Sequence, residues 1–173
     1  MKKKYLFGSK MLKMSNPRDE DYIEFVTGPG KNIQDRTQRS ITFYKKMINS
    51  FVLGQTDEND MYNACFLYQN SAPFFNDENY PFNFFNILEH KRVWIAQLKA
   101  YMNSERAERG AIKTDILPKQ LYHILYQYHM IKENTHWISD EARVDVQKIH
   151  DREMPSSYFY ELRAKINSLE VDG

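Results

Sequence analysis

Apolar residues in the second half of the chain recur at the three- and four-residue spacing of helices. Leu88, Ile95, Leu98 and Met102, joined by the Lys91 stem, make one stripe that Trp94 and Tyr101 widen, so the spacing predicts a helix over 84–103. Glu105 to Gly110 reads as a charged end or hinge. Pro118 suits the first turn of the next helix, which runs to about Asn134 and buries Leu121, Leu125, Tyr128 and Ile131. Ser139 is placed to cap another, with Val146 and Ile149 facing inward. Pro155-Ser156-Ser157 opens the last, with Phe159, Leu162, Ile166 and Leu169 on one face.

The first half has a different rhythm. Tyr5-Leu6-Phe7 is a short strand-like run, followed at once by Gly8-Ser9. Met11, Leu12 and Met14 are the apolar members of a short helix over 9–14, which Pro17 keeps from continuing. Tyr22-Ile23-Glu24-Phe25-Val26 has strand composition. Thr27-Gly28-Pro29-Gly30 is a loop. Ile41-Thr42-Phe43-Tyr44 suggests a strand at about 40–44, then a helix at 45–53 ended by Gly54. A polar loop at 56–60 leads into a helix at 61–69, and 70–83 is an aromatic loop containing Pro73 and Pro81. The expectation is an α+β fold: a small mixed sheet in a lobe over 1–83, then a helical lobe over 84–173, packed as one unit.

Composition narrows the function. At 173 residues and 42% hydrophobic, the chain can bury a core, which excludes a disordered protein. Its net charge of +1 excludes a molecule steered as a whole to polyanions, so a nucleic-acid site would have to be local. Lys2-Lys3-Lys4 is one local run, read as a solvated terminus. A single cysteine, Cys65, excludes an internal disulfide and a cysteine-rich zinc site, and its apolar neighbours predict a buried, inert thiol. No apolar run approaches a membrane span and none near the start resembles a signal segment, so a cytoplasmic protein without membrane contact is expected. The five histidines form no zinc motif, and His123 and His129, six apart, do not share a helix face.

The chemistry concentrates near the start. On a strand, Asp19 and Asp21 share one face and repel each other unless a cation lies between them. A divalent metal carrying a triphosphate satisfies them; a solvated acidic turn after Asn16-Pro17 is the plain alternative. Gly8 allows close backbone approach, and Ser9 offers a hydroxyl and an amide to phosphate. Lys10 stands where it can touch the same phosphate, and Arg18 neutralises the acidic pair.

Gly8, Ser9, Asp19 and Asp21 together resemble the DNA polymerase β superfamily of nucleotidyltransferases, whose pattern is Gly-Ser, a short helix, then Asp-x-Asp opening a strand. Lys119-Gln120-Leu121-Tyr122-His123, followed by Lys148-Ile149-His150-Asp151-Arg152-Glu153 and a terminal helix, resembles a predicted branch found in bacteria and their viruses. In that branch a Lys-x-x-Tyr-His-like helix precedes an Ile-Arg-Asn-Gly-Glu-like turn. The resemblance implies Mg2+ (or Mn2+) held by Asp19 and Asp21, which are also the catalytic acids. It implies a nucleoside triphosphate bound by Gly8, Ser9, Lys10 and Lys119. The acceptor is a hydroxyl of RNA, protein or a small molecule. The superfamily also uses a third acid on a neighbouring strand. A strand at 40–44 would put Ser40 there, with Asp35, Asp60 and Asp57 as substitutes in that order. A protein lacking that acid would instead be a catalytically silent interaction protein, such as a phage or mobile-element inhibitor of a host factor. It would bind its partner through the aromatic loop Phe74 to Phe85.

Overall fold

The computed structural model describes residues 4–15, 21–26, 38–40, 61–74, 77–80 and 89–170, with Lys46, Asn49, Ser50, Val52, Leu53 and Gln55. For 4, 7, 21–26, 38–40, 62–64 and 68 the description is of the backbone alone. The chain is mostly helical. Three short strands pair near its start: β1 (Lys4–Phe7), β2 (Asp21–Val26) and β3 (Gln38–Ser40), in the order β1-β2-β3. β1 runs antiparallel to β2, with Lys4 opposite Glu24 and Phe7 opposite Asp21. β2 runs parallel to β3, with Glu24 opposite Gln38 and Val26 opposite Ser40. β3 includes Ser40, the first residue of the strand expected at 40–44, and 41–45 lie outside the described residues. The expected helix at 45–53 falls largely outside them too.

Between β1 and β2 lies α1 (Gly8–Met11), one turn long. Its apolar residues Met11 and Leu12, with Met14 just beyond it, are buried, as their spacing requires. Lys13 closes the turn in the left-handed region at φ 60°, with Met14 N–H donating to the Ser9 carbonyl at 2.9 Å. That six-to-one bond is a Schellman closure, normally made over a glycine.

The helices that follow are α2 (Met61–Ser71), α3 (Lys91–Met102), α4 (Glu105–Ala111), α5 (Tyr122–Glu133), α6 (Asp140–His150) and α7 (Tyr158–Asn167). α3 begins later than the apolar stripe suggests, because His90 is its cap and 89–90 form a turn. The charged segment after it is a helix, not a hinge. The Ser104 hydroxyl accepts from Ala107 N–H at 3.2 Å, and Ala107 and Ala111, one turn apart, face the core. Pro118 precedes a 3-10 turn, Lys119–Leu121, before α5 begins at Tyr122. Tyr128 is only half-buried, with the Lys165 ammonium 5.6 Å from its ring centroid. Ser139 caps α6 as its sequence position predicts, accepting from Ala142 N–H at 3.2 Å.

α3 packs on α2 and α7, and α5 packs on α6 and α7. Trp94, Leu98 and Met102 of α3, Tyr126 of α5 and Phe159 of α7 are fully enclosed. Tyr5, Met11, Leu12 and Met14 join the same contiguous core, so the turn after β1 shares its apolar contacts with the helices. Cys65 is free and fully buried, and burial raises its thiol pKa. No helix among the described residues is long and apolar enough to cross a membrane.

Candidate functional site

Gly8 has φ 79°, a region costly to any residue with a Cβ, and it begins a helix whose next residue, Ser9, is buried. The β1–β2 register sets Asp21 opposite Phe7, the residue before Gly8. The fold therefore brings together the backbone of the Gly8-Ser9 turn and the start of the acidic strand, thirteen positions along the chain. Asp19 and the Asp21 carboxylate lie outside the described residues, as do Asp35, Asp57 and Asp60. Among the described residues no group of three or more His, Cys, Asp or Glu side chains is arranged to hold a metal ion.

The Gly8 amide is already engaged, because it donates to Asn70 Oδ1 of α2 at 2.9 Å. Asn70 in turn donates from Nδ2 to the Phe66 carbonyl at 2.7 Å, which fixes its orientation. The Gly8 N–H is therefore not open to a ligand at this turn. Lys10 projects to the exposed side.

Two side chains of α6 hold the far end of the turn. Arg143 Nη1 donates to the Leu12 carbonyl at 2.7 Å and to the Lys13 carbonyl at 3.3 Å. Gln147 bonds both backbone groups of Ser15: Oε1 accepts from Ser15 N–H at 2.9 Å, and Nε2 donates to the Ser15 carbonyl at 3.0 Å. The second Nε2 proton faces both Asp151 oxygens at 3.0 Å. Arg143, Gln147 and Asp151 are spaced i, i+4, i+8, one face of α6.

Lys119 is half-buried on the 3-10 turn that packs against α6. Its positive charge adds to the lowering of both the His123 and the Asp151 pKa. His123 is buried, with its Nδ1 3.0 Å from Gln69 Oε1 and its ring over Tyr122 at 3.9 Å and edge-to-face with Phe66 at 4.5 Å. Burial first, then the charges of His150 and Lys119, push its pKa down to about 3, which keeps it neutral. His150 is also buried; its Nδ1 donates to Asp151 Oδ1 at 2.9 Å, and its Nε2 has no partner among the described residues. Burial pushes the Asp151 carboxyl up, but the bonds from His150 and Gln147 outweigh it and hold the carboxyl below its usual value.

Of the residues predicted from sequence, then, Gly8, Ser9 and Lys10 stand on one turn, and the Asp21 backbone adjoins it. Lys119 stands on the 3-10 turn of the helical side, which packs against α6. Asn70, Arg143 and Gln147 were not singled out from sequence. The one trace of them is the polar i, i+4 stripe on α6, whose partners are backbone groups no sequence pattern names. In the aromatic loop, Tyr80 is buried, with its hydroxyl 2.7 Å from Ser71 Oγ and its ring edge-to-face with Tyr5 at 4.7 Å. Phe74 packs on Tyr5 at 5.1 Å. No family model matches the chain, and no curated protein or solved structure matches it.

Proposed function

We propose that this protein is a nucleotidyltransferase that moves a nucleoside monophosphate from a metal-bound triphosphate to an acceptor hydroxyl, on a small mixed sheet of that superfamily's type. The observation that carries the reading is the left-handed Gly8 at the end of β1, with Ser9 after it and the start of the acidic strand paired at its side. A second observation supports it. In the resembled Ile-Arg-Asn-Gly-Glu turn the fourth position is glycine; here Arg152 stands there, and its φ is 59°. Glu153 N–H closes that turn on the Lys148 carbonyl at 2.9 Å. The backbone thus has the shape that a glycine at this position would serve.

In this reading Asp19 and Asp21 hold Mg2+ or Mn2+, since carboxylates with a serine hydroxyl are the hard oxygen donors such ions take. The ion, when bound, neutralises phosphate charge and lines up the reacting groups. Ser9 binds phosphate through its hydroxyl and amide, and Lys10 and Lys119 add positive charge. The acceptor oxygen bonds to the α-phosphorus as the bridging oxygen leaves with pyrophosphate, and the hydroxyl proton passes to a third acid. Asp35 is that acid in this proposal. Asp35 is the first of the acids that the sequence offers for that role, and it lies outside the described residues. Ser40, by contrast, pairs with Val26 at the other end of β2.

The rival reading, an interaction protein on this fold, draws on the aromatic loop. Two of that loop's rings, Phe74 and Tyr80, are spent on internal packing against Tyr5. The test is incubation with each labelled triphosphate, Mg2+ or Mn2+, and mixed RNA and protein acceptors. Labelled product from the wild type that is lost in both Asp19→Ala and Asp21→Ala is the expected result. Absence of product with every triphosphate overturns transfer and leaves the interaction reading.

A further inference from the structure

Residues 12–15 are tied to α6 by two side chains of different character. Arg143 bonds the Leu12 and Lys13 carbonyls, and its own position is fixed on three sides. Its Nε donates to the Ile138 carbonyl at 3.4 Å, its Nη2 to Tyr126 Oη at 3.4 Å, and its guanidinium lies 5.6 Å from the Tyr126 ring centroid. Gln147, which bonds the N–H and the carbonyl of Ser15, has no such built-in orientation. The two ends of its amide are nearly the same shape, and one is an acceptor while the other is a donor. A half-turn of the amide would set Oε1 against the Ser15 carbonyl and the NH2 group against the Ser15 N–H, and both bonds would be lost. Asp151 decides between the two orientations. Both of its carboxylate oxygens lie 3.0 Å from Gln147 Nε2, and a carboxylate can only accept, so it holds the NH2 group and repels Oε1. Asp151 is in turn fixed by His150 Nδ1 at 2.9 Å. The buried His150 ring lies edge-to-face with the buried Tyr122 ring of α5 at 5.1 Å.

We infer that residues 13–15 are a strap closed on α6, and that the Asp151 carboxylate is the latch that keeps Gln147 gripping it. The contacts run without a break from Tyr122 in the core through His150, Asp151 and Gln147 to the Ser15 backbone. The bonds to Ser15 lie at the surface, where water competes for the same groups, so the grip holds only while the whole amide is matched. With the latch in place the strap opens only together with the core. With the carboxylate gone, the amide turns freely and the strap opens by itself. Neighbouring cations do not take over the latch: the Lys13 ammonium lies 4.4 Å from the Trp137 ring centroid, and Lys148 pairs with Asp145 at 3.9 Å. This inference stands apart from the nucleotide reading, because every group in it belongs to the strap, α5 or α6.

The test is amide hydrogen exchange of the full chain by NMR at neutral pH, with the Ser15 amide compared with core amides of α3 and α7 in the same sample. Gln147→Ala removes the grip and should speed Ser15 exchange on the order of tenfold relative to the core amides. Asp151→Ala leaves Gln147 in place and should still speed Ser15 exchange about threefold or more relative to them. Val144→Ala, at an exposed position of the same helix, should leave the ratio as in wild type. If Asp151→Ala does not fold, Asp151→Ser is measured in its place. A wild-type ratio in the Asp151 variant, with Gln147→Ala raised, overturns the latch. A wild-type ratio in Gln147→Ala, or an even rise across strap and core in both variants, overturns the strap as well.

Discussion

The helical half and the turn after β1 share one core but are held by different means. α3, α5 and α7 are fixed by apolar stripes that pack on each other, and α4 and α6 carry their own serine caps, Ser104 and Ser139. Those features are local in sequence. The turn is fixed by side chains from far away: Asn70 is 62 positions from Gly8, Arg143 is 131 from Leu12, and Gln147 is 132 from Ser15. A region built on short elements satisfies only part of its own backbone, and side chains of the more regular half bond the rest. In such a molecule the residues that shape a site need not be near it in the chain.

The strongest way to break this arrangement is through the shared core. Trp94 is fully buried and donates from Nε1 to Gln127 Oε1 at 2.7 Å. Trp94→Ala should cost about 3–5 kcal/mol in urea unfolding and strand the Gln127 acceptor. If the core is common to both regions, hydrogen exchange at the Leu12–Ser15 amides should rise with it. Protection there unchanged in that variant would mean the turn stands apart from the helices.

The second prediction separates the regions by pH. Folded His123 stays neutral down to about pH 3, whereas the unfolded chain takes a proton there below its ordinary value of 6.5. Its contribution is therefore complete above pH 6.5 and is lost as the pH falls toward 3, with a slope of at most about 1.4 kcal/mol per pH unit. The stability difference between wild type and His123→Gln should shift against the wild type across that window. A difference that stays constant from pH 7 to 4.5 would contradict a neutral, buried His123.

Asn70→Ala acts on the turn alone. It leaves the buried Gly8 N–H without its acceptor and should cost about 1–3 kcal/mol, with the new exchange confined to the region around Gly8. Exchange spreading evenly through α3 and α7 would argue against two modes of support. The smallest effect, of opposite sign, belongs to Arg152. Its left-handed conformation carries a penalty that glycine lacks, so Arg152→Gly should stabilise by about 1 kcal/mol and raise the melting temperature by a few degrees. A fall in melting temperature would mean the side chain does more than close the helix.

What was legible in the sequence follows the same division. The Phe159, Leu162, Ile166 and Leu169 face of α7 and the Ser139 cap could be read because stripes and caps are short-range signals. α4 was hidden because its apolar members are only two alanines among charges. Among the described residues, three helix ends close over left-handed Lys13, Asn134 and Arg152, and no glycine marks them. Pairing of β3 on the polar residues Gln38 and Arg39 carries no strand signal in the sequence. In the candidate site, Gly8 and Ser9 were visible because only glycine serves such a φ cheaply. Asn70, Arg143 and Gln147 were not, because each bonds a backbone group whose identity leaves no mark in the sequence.

The central claim is that the Gly8-Ser9 turn and the acids after it bind a metal–triphosphate. It is tested most directly by thermal unfolding with Mg2+ and each triphosphate, comparing wild type with Asp21→Asn. A ligand present at a hundred times its dissociation constant stabilises the folded chain by about 2.7 kcal/mol. The account predicts a rise in melting temperature for wild type with at least one triphosphate, and none for Asp21→Asn. An unchanged wild type with all of them, or an equal rise in the variant, would contradict it.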